Sequence, residues 1–479
     1  MGRRSRPGED LSVYNRRRAR VGLLVVGVAV FVLAHPADAA DTITSPDTVG
    51  SVGADTSIVL DAAGNPVISY FDATNGDLKV LHCDDPNCAG VETPTSPDTA
   101  GLVGWDTSIA LDAAGNPVIS YFDATNGDLK VLHCDDPNCA GIETPTSPDT
   151  AGLVGWDTSI VLDAAGNPVI SYQSDNNDLK VLHCDDPNCA GTETPTSPDN
   201  PATIVGWGTS IVLDAAGNPV ISYWGGIDDG LKVLHCDDPN CAGIETPTSP
   251  DTAGFVGLYS SIVLDAAGNP VISYLDGNGT NHALKVLHCD DPNCAGTEAP
   301  TAPDTPGFDT SIVLDAAGNP VIAYQDLGRG GLKVLHCDDP NCAGIENPTS
   351  PDTAADSMSI VLDAAGNPVI AYRDTDNGDV KVLHCDDPAC DATLPPPSTT
   401  TTTTITTTTT PTQPTTTTVG ATTTTTTPVV SATTQPPATT EPPVILPPTG
   451  STDRTAAAIG AILLTAGTAL LLLGRRSAT

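Results

Sequence analysis

The chain has 479 residues, of which 59 are acidic and 19 are lysine or arginine, so its formal net charge at pH 7 is −40. Nucleic-acid binding needs a basic surface, and this composition excludes it. The lysines all occupy one position of an internal repeat: Lys79, Lys130, Lys180, Lys232, Lys285, Lys333 and Lys381. Anionic ligands are therefore disfavoured in general.

The N-terminal segment is typical of a secretory signal peptide. Arginine-rich residues precede an apolar stretch over residues 21–34, and Ala37-Asp38-Ala39 supplies the small residues of a cleavage site. We expect residues 1–39 to be removed on export. An uncleaved N-terminal membrane anchor is the alternative.

Residues 41–393 contain seven copies of a unit of about 51 residues. Within the first copy, SIVL at 57–60 predicts a strand that is buried on both faces. PVISY at 66–70 and LKVLHC at 78–83 predict two more strands, separated by turns rich in Asp, Asn and Gly. The Thr/Pro-rich segment 91–96 predicts a weak fourth strand at a sheet edge.

Seven four-stranded units of this length predict an all-β fold, a seven-bladed β-propeller. Residues 41–55 match the inter-unit segment 92–106, whereas the last unit lacks its fourth strand. We therefore expect the N-terminal strand to complete the last blade. An open β-solenoid is the alternative, but the polar caps that it needs are missing.

The stretch IVLDAAGNPVISYFDATNGDLKVL at 58–81 resembles the NHL-type propeller repeat. That repeat has a D-x-x-G-N turn between its inner strands and a second Asn-containing turn before the third strand. The resemblance implies a propeller blade and assigns no function. The cysteine pair and the longer period of this chain depart from the NHL pattern.

Fourteen cysteines form seven pairs with a constant four-residue gap. The even number and an extracellular setting predict disulfides. Zinc is the alternative, but His82 and Cys83 are neighbours in a strand and point to opposite faces. The predicted pairs are Cys83 with Cys88, Cys134 with Cys139, Cys184 with Cys189, Cys236 with Cys241, Cys289 with Cys294, Cys337 with Cys342 and Cys385 with Cys390.

The C-terminal region contains a Thr/Pro-rich segment at 394–445, which we predict to be a disordered stalk. The segment that follows, at 446–479, begins with Leu446-Pro447-Pro448-Thr449-Gly450. A predicted transmembrane helix follows at 455–474, and a basic tail ends the chain.

This order resembles the cell-wall sorting signal of Gram-positive surface proteins. The resemblance implies that a sortase cuts between Thr449 and Gly450 and joins the threonine to an amine of the cell-wall peptide. The alternative is a C-terminal helix that is never cut and stays in the membrane. Either outcome places the chain on the outer side of the cell surface.

Catalytic and metal-binding patterns are weak in the repeats. His82 and its six equivalents have no nearby serine nucleophile, and the paired carboxylates Asp84-Asp85 are typical of turns. Hard oxygen ligands in the turns at 72–77 and 84–87 suit calcium, but turn formation explains the same residues. We therefore expect no cofactor, no metal and no catalytic residue.

Variation among the repeats gathers on one predicted face, which carries the second turn of each unit and the links between units. Aromatic side chains there suit glycans that stack on rings. The candidate ligand-binding residues are Trp105, Trp156, Trp207, Trp224 and Phe308. The sequence thus predicts a surface-anchored, non-catalytic binding module or adhesin for a glycan or protein. A purely structural spacer and an extracellular hydrolase are the alternatives.

Overall fold

The computed structural model describes residues 41–200, 205–278, 282–328 and 330–391. The predicted signal peptide, the stalk and the sorting signal with Leu446, Pro447, Thr449 and Gly450 lie outside the described residues. So does the predicted transmembrane helix at 455–474. Within the described ranges, no helix is long and apolar enough to cross a membrane.

The described residues form twenty-eight β-strands. In chain order they are β1 Thr42–Asp47, β2 Val52–Leu60, β3 Pro66–Asp72, β4 Asp77–His82, β5 Thr95–Asp98, β6 Val103–Leu111, β7 Pro117–Asp123, β8 Asp128–His133, β9 Thr146–Asp149, β10 Val154–Leu162, β11 Pro168–Ser174, β12 Leu179–His183, β13 Thr196–Asp199, β14 Trp207–Leu213, β15 Pro219–Trp224, β16 Leu231–His235, β17 Thr248–Asp251, β18 Val256–Leu264, β19 Pro270–Asp276, β20 Ala283–His288, β21 Thr301–Asp304, β22 Phe308–Leu314, β23 Pro320–Asp326, β24 Gly331–His336, β25 Thr349–Asp352, β26 Asp356–Leu362, β27 Pro368–Asp374 and β28 Asp379–His384.

These strands form seven antiparallel sheets of four strands each, which are the blades of a propeller. Six blades consist of consecutive strands, such as β2-β3-β4-β5. The seventh has the order β1-β28-β27-β26, so the N-terminal strand supplies its outer edge. Ile43 of β1 pairs with Leu383 of β28 in this sheet. The prediction of a seven-bladed propeller that is closed by the N-terminal strand is therefore confirmed.

The second strand of each blade is the most deeply buried. All seven residues of β3 are buried, because both of its faces are covered by neighbouring blades. The prediction that SIVL at 57–60 is buried on both faces is wrong. In β2, Ile58 is 3% exposed, while Ser57 and Val59 are partly exposed. Ile58 and Val59 pack towards opposite neighbouring blades, but β2 is the edge strand of its sheet and this edge lines the central channel.

The hydrophobic core lies between blades rather than within a sheet. One cluster joins Ile58, Ile68 and Tyr70 of the first blade to Val369 and Val382 of the seventh. Equivalent clusters join each of the other neighbouring pairs. Each blade therefore depends on its neighbour for burial of its apolar face, as expected for a stacked repeat.

All fourteen cysteines form disulfides within their predicted pairs, and no cysteine is free in the part of the chain that the structure describes. Each disulfide closes the short turn between the third and fourth strands. Disulfides form and persist in oxidising compartments, so they indicate an extracellular protein. The observed pairs are Cys83 with Cys88, Cys134 with Cys139, Cys184 with Cys189, Cys236 with Cys241, Cys289 with Cys294, Cys337 with Cys342 and Cys385 with Cys390.

The second cysteine of each pair has a left-handed backbone, which the sequence analysis did not predict. The φ angles lie between 45° and 50° at Cys88, Cys139, Cys189, Cys241, Cys294, Cys342 and Cys390. This conformation is uncommon for a residue other than glycine, asparagine or aspartate. The short disulfide loop imposes it, because the chain must turn back within four residues to bring the two sulfur atoms together. These cysteines are therefore structural residues of the turns and not part of a ligand site.

A buried polar clamp joins each blade to the next. In one example, Asp98 of β5 accepts hydrogen bonds at 2.7 Å from the Tyr121 hydroxyl and from Lys130 Nζ, both on the following blade. The Asp98 side chain is only 4% exposed. At the closing seam Asp47 of β1 accepts the same two bonds from Tyr70 and Lys79. The seven carboxylates are Asp47, Asp98, Asp149, Asp199, Asp251, Asp304 and Asp352.

We expect Asp98→Ala to lower the free energy of unfolding by about 3 kcal/mol. It removes the acceptor of the buried Tyr121 hydroxyl and leaves Lys130 with only its longer contact, 3.6 Å from Nζ to Asp123 Oδ2. Asp47→Ala should lower the free energy of unfolding by a similar amount if the closing junction contributes as much stability as the other six. The exposed Asp84→Ala is the control and should change stability by less than about 0.5 kcal/mol. Urea unfolding followed by fluorescence measures all three. Equal effects from Asp98→Ala and Asp84→Ala would contradict the clamp.

Candidate functional site

The first strand of each blade lines the central channel. Neighbouring first strands contact one another in turn, and β26 contacts β2, so they surround the propeller axis. At one position of these strands every residue has a left-handed backbone, with φ between 50° and 60°. We call these seven residues the channel ring: Asp55, Asp106, Asp157, Gly208, Tyr259, Asp309 and Ser357.

The channel ring lies in a β-bulge. In the first blade the pairing between β2 and β3 shifts register between Ala54 and Ser57, on either side of Asp55. Equivalent shifts occur in the other blades. Bulges re-aim side chains and are frequent beside active sites. Asp and Gly tolerate a left-handed backbone, but a tyrosine there is uncommon, so Tyr259 is the exception in this ring.

Carboxylates of the channel ring bond to the next blade. Asp55 accepts a hydrogen bond from the Asp106 backbone N–H at 3.1 Å, and Asp106 accepts one from Asp157 at 3.1 Å. Asp309 accepts one from the Ser357 N–H at 2.8 Å. These bonds fix the carboxylates at defined places around the channel.

Four of the predicted aromatic residues lie one position before the channel ring, and Trp224 lies on the adjoining second strand. Their ring contacts join neighbouring blades, except for Trp207 with Trp224, which lie opposite each other in one blade. Trp105 is 5.5 Å from Phe71 between ring centroids. The other close pairs are Phe122–Trp156, Trp207–Trp224 and Trp224–Phe255. Trp224 is 2% exposed and Phe308 is 8% exposed, whereas Trp105, Trp156 and Trp207 are partly exposed. That any of the five contacts a ligand stays a prediction.

Five side chains that no other blade repeats at the same position lie, together with the ring residue Asp309, on three consecutive blades around the channel. Tyr259 packs on Phe308 with 4.4 Å between ring centroids. Arg373, the only arginine among the described residues, donates from Nε to Asp356 Oδ1 at 2.8 Å and from its terminal nitrogen to Asp356 Oδ2. Asp356 directly precedes Ser357, which bonds to Asp309 of the channel ring. We call Tyr259, Phe308, Asp309, Asp356, Ser357 and Arg373 the unique sector.

Two channel-ring carboxyl groups have strongly raised pKa values. Burial, with a contribution from the charge of Asp55, raises the pKa of Asp157 to about 6. Burial and the neighbouring charge of Asp356 raise the pKa of Asp309 to about 7, although the Ser357 N–H and Arg373 oppose this. Asp309 is thus poised to exchange a proton near neutral pH, as catalytic acids are.

Sequence reasoning missed the channel ring, because the predicted site stopped one residue short of it. When the seven repeats are aligned, the channel-ring position holds four Asp and one Gly, which are residue types that accept a left-handed backbone. The two residues at this position that no other repeat shares are Tyr259 and Ser357. Neither the contact of Tyr259 with Phe308, the bond of Ser357 to Asp309, nor the bulge is visible without the fold.

The opposite face of the propeller carries seven His–Asp pairs. His133 Nε2 lies 3.0 Å from Asp112 Oδ2 of its own blade, and its Nδ1 lies 3.0 Å from Asn188 Oδ1 of the next blade. Both ring nitrogens of His133 are therefore occupied by structural bonds. The pairs involve His82, His133, His183, His235, His288, His336 and His384.

Acidic groups cluster beside the disulfide turns. Ligand oxygens of Asp84, Asp85 and Glu92 lie within 4.8 Å of one another, and the N-terminal Asp41 joins Asp386 and Asp387 in the last blade. Asp85 already accepts backbone N–H groups of its own turn. Exposed acidic groups of this kind are common without an ion, so the cluster assigns no metal.

The comparisons with known proteins concern the fold. No protein-family model and no curated protein matches the chain. A polysaccharide lyase described as an ulvan lyase is 13% identical with a TM-score of 0.46, over 72% of this chain and 94% of that one. A sialidase from Streptococcus pneumoniae is 10% identical with a TM-score of 0.41, over 71% and 68%. An α-L-arabinofuranosidase from Fusarium graminearum is 12% identical with a TM-score of 0.42, over 72% and 96%.

The prediction that the chain is not an enzyme is contradicted by these comparisons, because the three solved structures are glycan-processing enzymes. The sequence argument assumed that near-identical repeats offer no convergent set of different side chains. The unique sector is such a set. At 10–13% identity the comparisons transfer no residue role to this chain.

The pKa shifts of two sets of carboxyl groups predict that the free energy of unfolding is greatest in mild acid. Burial alone would raise the pKa of Asp61, but hydrogen bonds from Asn65, His82 and Ala63 outweigh it and hold the pKa below 3.8. The stability that such groups contribute is lost as the pH falls below about 3.8. Burial and the charge of Asp84 raise the pKa of Glu92 above 4.5, so its ionisation destabilises the fold as the pH rises.

We therefore expect the urea midpoint of unfolding to be highest near about pH 4 and to fall on both sides. Replacing Glu92 and Glu143, which share this environment, by Gln should flatten the decline above pH 4.5. It should leave the decline below pH 3.8 unchanged. A wild-type maximum at pH 7 or above would contradict this account.

Proposed function

We propose that this chain is an extracellular carbohydrate-active enzyme that hydrolyses a neutral glycan in the unique sector of its channel. One observation carries the proposal. The fold brings the ring aspartate Asp309 together with Tyr259, Asp356 and Arg373, three residues that no other blade repeats at the same position. Convergence of different side chains on one place is what catalysis needs and what a symmetric array lacks.

Carbohydrate is the substrate class that suits this surface. Aromatic rings stack on the apolar faces of sugars, and Tyr259 with Phe308 forms an aromatic pair beside a carboxyl group. The lysines of the repeats are paired with clamp carboxylates, so few cations are left to bind an acidic sugar. A neutral glycan is therefore the expected substrate.

The test is glycan cleavage by the purified full chain, produced with its disulfides intact. Neutral, acidic and amino polysaccharides are incubated separately, and new reducing ends are measured together with the unsaturated products that a lyase would form. We expect new reducing ends from a neutral polysaccharide without unsaturated products. Unsaturated products would indicate a lyase instead, and the absence of any product would overturn the proposal.

A matched pair of variants locates the site. Tyr259→Gly keeps the left-handed backbone, because blade four has Gly208 at this position, but removes the ring. We expect it to lower kcat/KM about tenfold, the upper range for an aromatic contact. Asp106→Gly makes the same kind of change three blades from Asp309 and should leave kcat/KM unchanged. Equal losses in the two variants would place the site elsewhere.

We also propose that the sorting signal anchors the protein to the cell wall. The support is the order of the LPxTG segment, the apolar stretch and the basic tail, together with the seven disulfides that indicate an extracellular location. Mass spectrometry of protein released by wall-degrading enzymes should find a C-terminal peptide that ends at Thr449 joined to a wall amine. A released chain that still contains residues 455–474 would show a retained membrane anchor.

A further inference from the structure

Asp309 shares its backbone geometry with the other aspartates of the channel ring but has different neighbours. Its φ is 50°, and its carboxylate accepts a backbone N–H of the next blade, as Asp55 and Asp106 do. On one side its ring neighbour is Tyr259, whose aromatic ring packs on Phe308. Asp309 is partly exposed as a residue, while its carboxyl group is surrounded mostly by protein atoms. It is therefore the channel-ring aspartate whose neighbouring aromatic pair, Tyr259 with Phe308, includes a residue of the ring itself.

An ion pair lies beside Asp309 on its other side. Asp356 and Arg373 are directly opposite each other in β26 and β27, and the guanidinium bonds to both oxygens of the Asp356 carboxylate. In the first two blades the position of Arg373 is held by Phe71 and Phe122. A bidentate pair fixes both charges in a defined geometry.

We propose that Asp309 donates a proton to the leaving oxygen of the glycan and that the Asp356–Arg373 pair is a positioning pair that adjusts the charge of this carboxyl group. The inference rests on the proposed function, because it assigns the proton transfer within the same site. Its geometric basis is the location of Asp309 between the Tyr259–Phe308 rings and the ion pair.

Hydrolysis through this carboxyl group conserves both atoms and protons. The Asp309 carboxylic acid gives its proton to the glycosidic oxygen while the bond between that oxygen and the anomeric carbon breaks. A water molecule forms a new bond to the anomeric carbon, and its proton returns to the Asp309 carboxylate. The products are two hydroxyl-terminated sugars, and Asp309 ends protonated as it began.

The electrostatic surroundings support this role. Burial, the charge of Asp356 and the more distant charge of Asp55 raise the pKa of Asp309 to about 7, while the Ser357 N–H and Arg373 act in the opposite direction. A substantial fraction of Asp309 therefore carries its proton at neutral pH. With Asp309 protonated and Asp356 paired to Arg373, the unique sector has little net charge.

The first test compares Asp309→Asn with Asp106→Asn. Asparagine tolerates the left-handed backbone, and its side-chain oxygen still accepts the N–H of the next blade. Both variants should fold, and both thermal midpoints are measured. We expect Asp309→Asn to lower kcat at least about 100-fold, the range for loss of a general acid, with little change in KM. Asp106→Asn should retain wild-type kcat.

The second test uses the pH profile of kcat/KM. Activity that depends on a protonated Asp309 declines as the pH rises through its pKa. Asp356→Asn removes a charge that raises this pKa, so the decline should move to lower pH. Arg373→Gln removes a charge that lowers it, so the decline should move to higher pH, each by about one unit. A merely structural ion pair would not give opposite shifts.

The outcomes separate the two proposals. If the wild type cleaves no glycan, the proposed function fails, and this inference fails with it. If the wild type cleaves but Asp309→Asn retains its kcat, the proton donor is another group and only the inference is overturned. Shifts in the same direction for Asp356→Asn and Arg373→Gln would overturn the role of the ion pair while leaving Asp309 in place.

Discussion

The buried carboxylate at each blade junction is the constraint on which the rest of the propeller depends. A blade cannot leave its neighbour without exposing Asp98, or an equivalent, together with the lysine and tyrosine that bond to it. Removing one member of a buried charged set is strongly unfavourable, because the remaining charge stays buried without its partner. Seven such junctions in a closed ring leave no free end, and Asp47 makes the closing junction equivalent to the others.

The clamps also determine how charge is distributed over the molecule. Every lysine of the repeats is engaged by a clamp carboxylate, as Lys79 and Lys381 illustrate at the two ends of the array. Few cations are left for the carboxylates of the turns, and the faces of the propeller are acidic. Arg373 is the exception among the described residues, and it stands beside the channel ring rather than in a clamp. Arg373 holds the position where Phe71 and Phe122 pack on aromatic rings of the next blade.

Much of the fold could be predicted from the sequence, because the seven repeated units can be aligned with one another. The offset between residues 41–55 and the truncated last unit identifies the closing strand, and the even cysteine pairs identify the disulfides. Contacts between blades could not be predicted, since they join residues without a common local pattern. Examples are the clamp of Asp98 with Lys130 and the bonds of His133 to two blades. The half-buried first strand was misjudged for the same reason, because only closure creates the channel that it faces.

In a nearly symmetric propeller, a residue that differs from its equivalents in the other blades is informative. Where seven blades hold their backbones alike, a residue that differs from its six equivalents changes chemistry at a fixed position and leaves the frame intact. Tyr259 takes a left-handed backbone that Gly and Asp accept more readily, and such departures from low-energy geometry persist where the surrounding structure enforces them. Asp309 keeps the ring geometry but acquires a different electrostatic setting from Asp356 and Arg373. The symmetry thus keeps the backbone alike from blade to blade, and among the described residues the departures from it bring different functional groups to the unique sector.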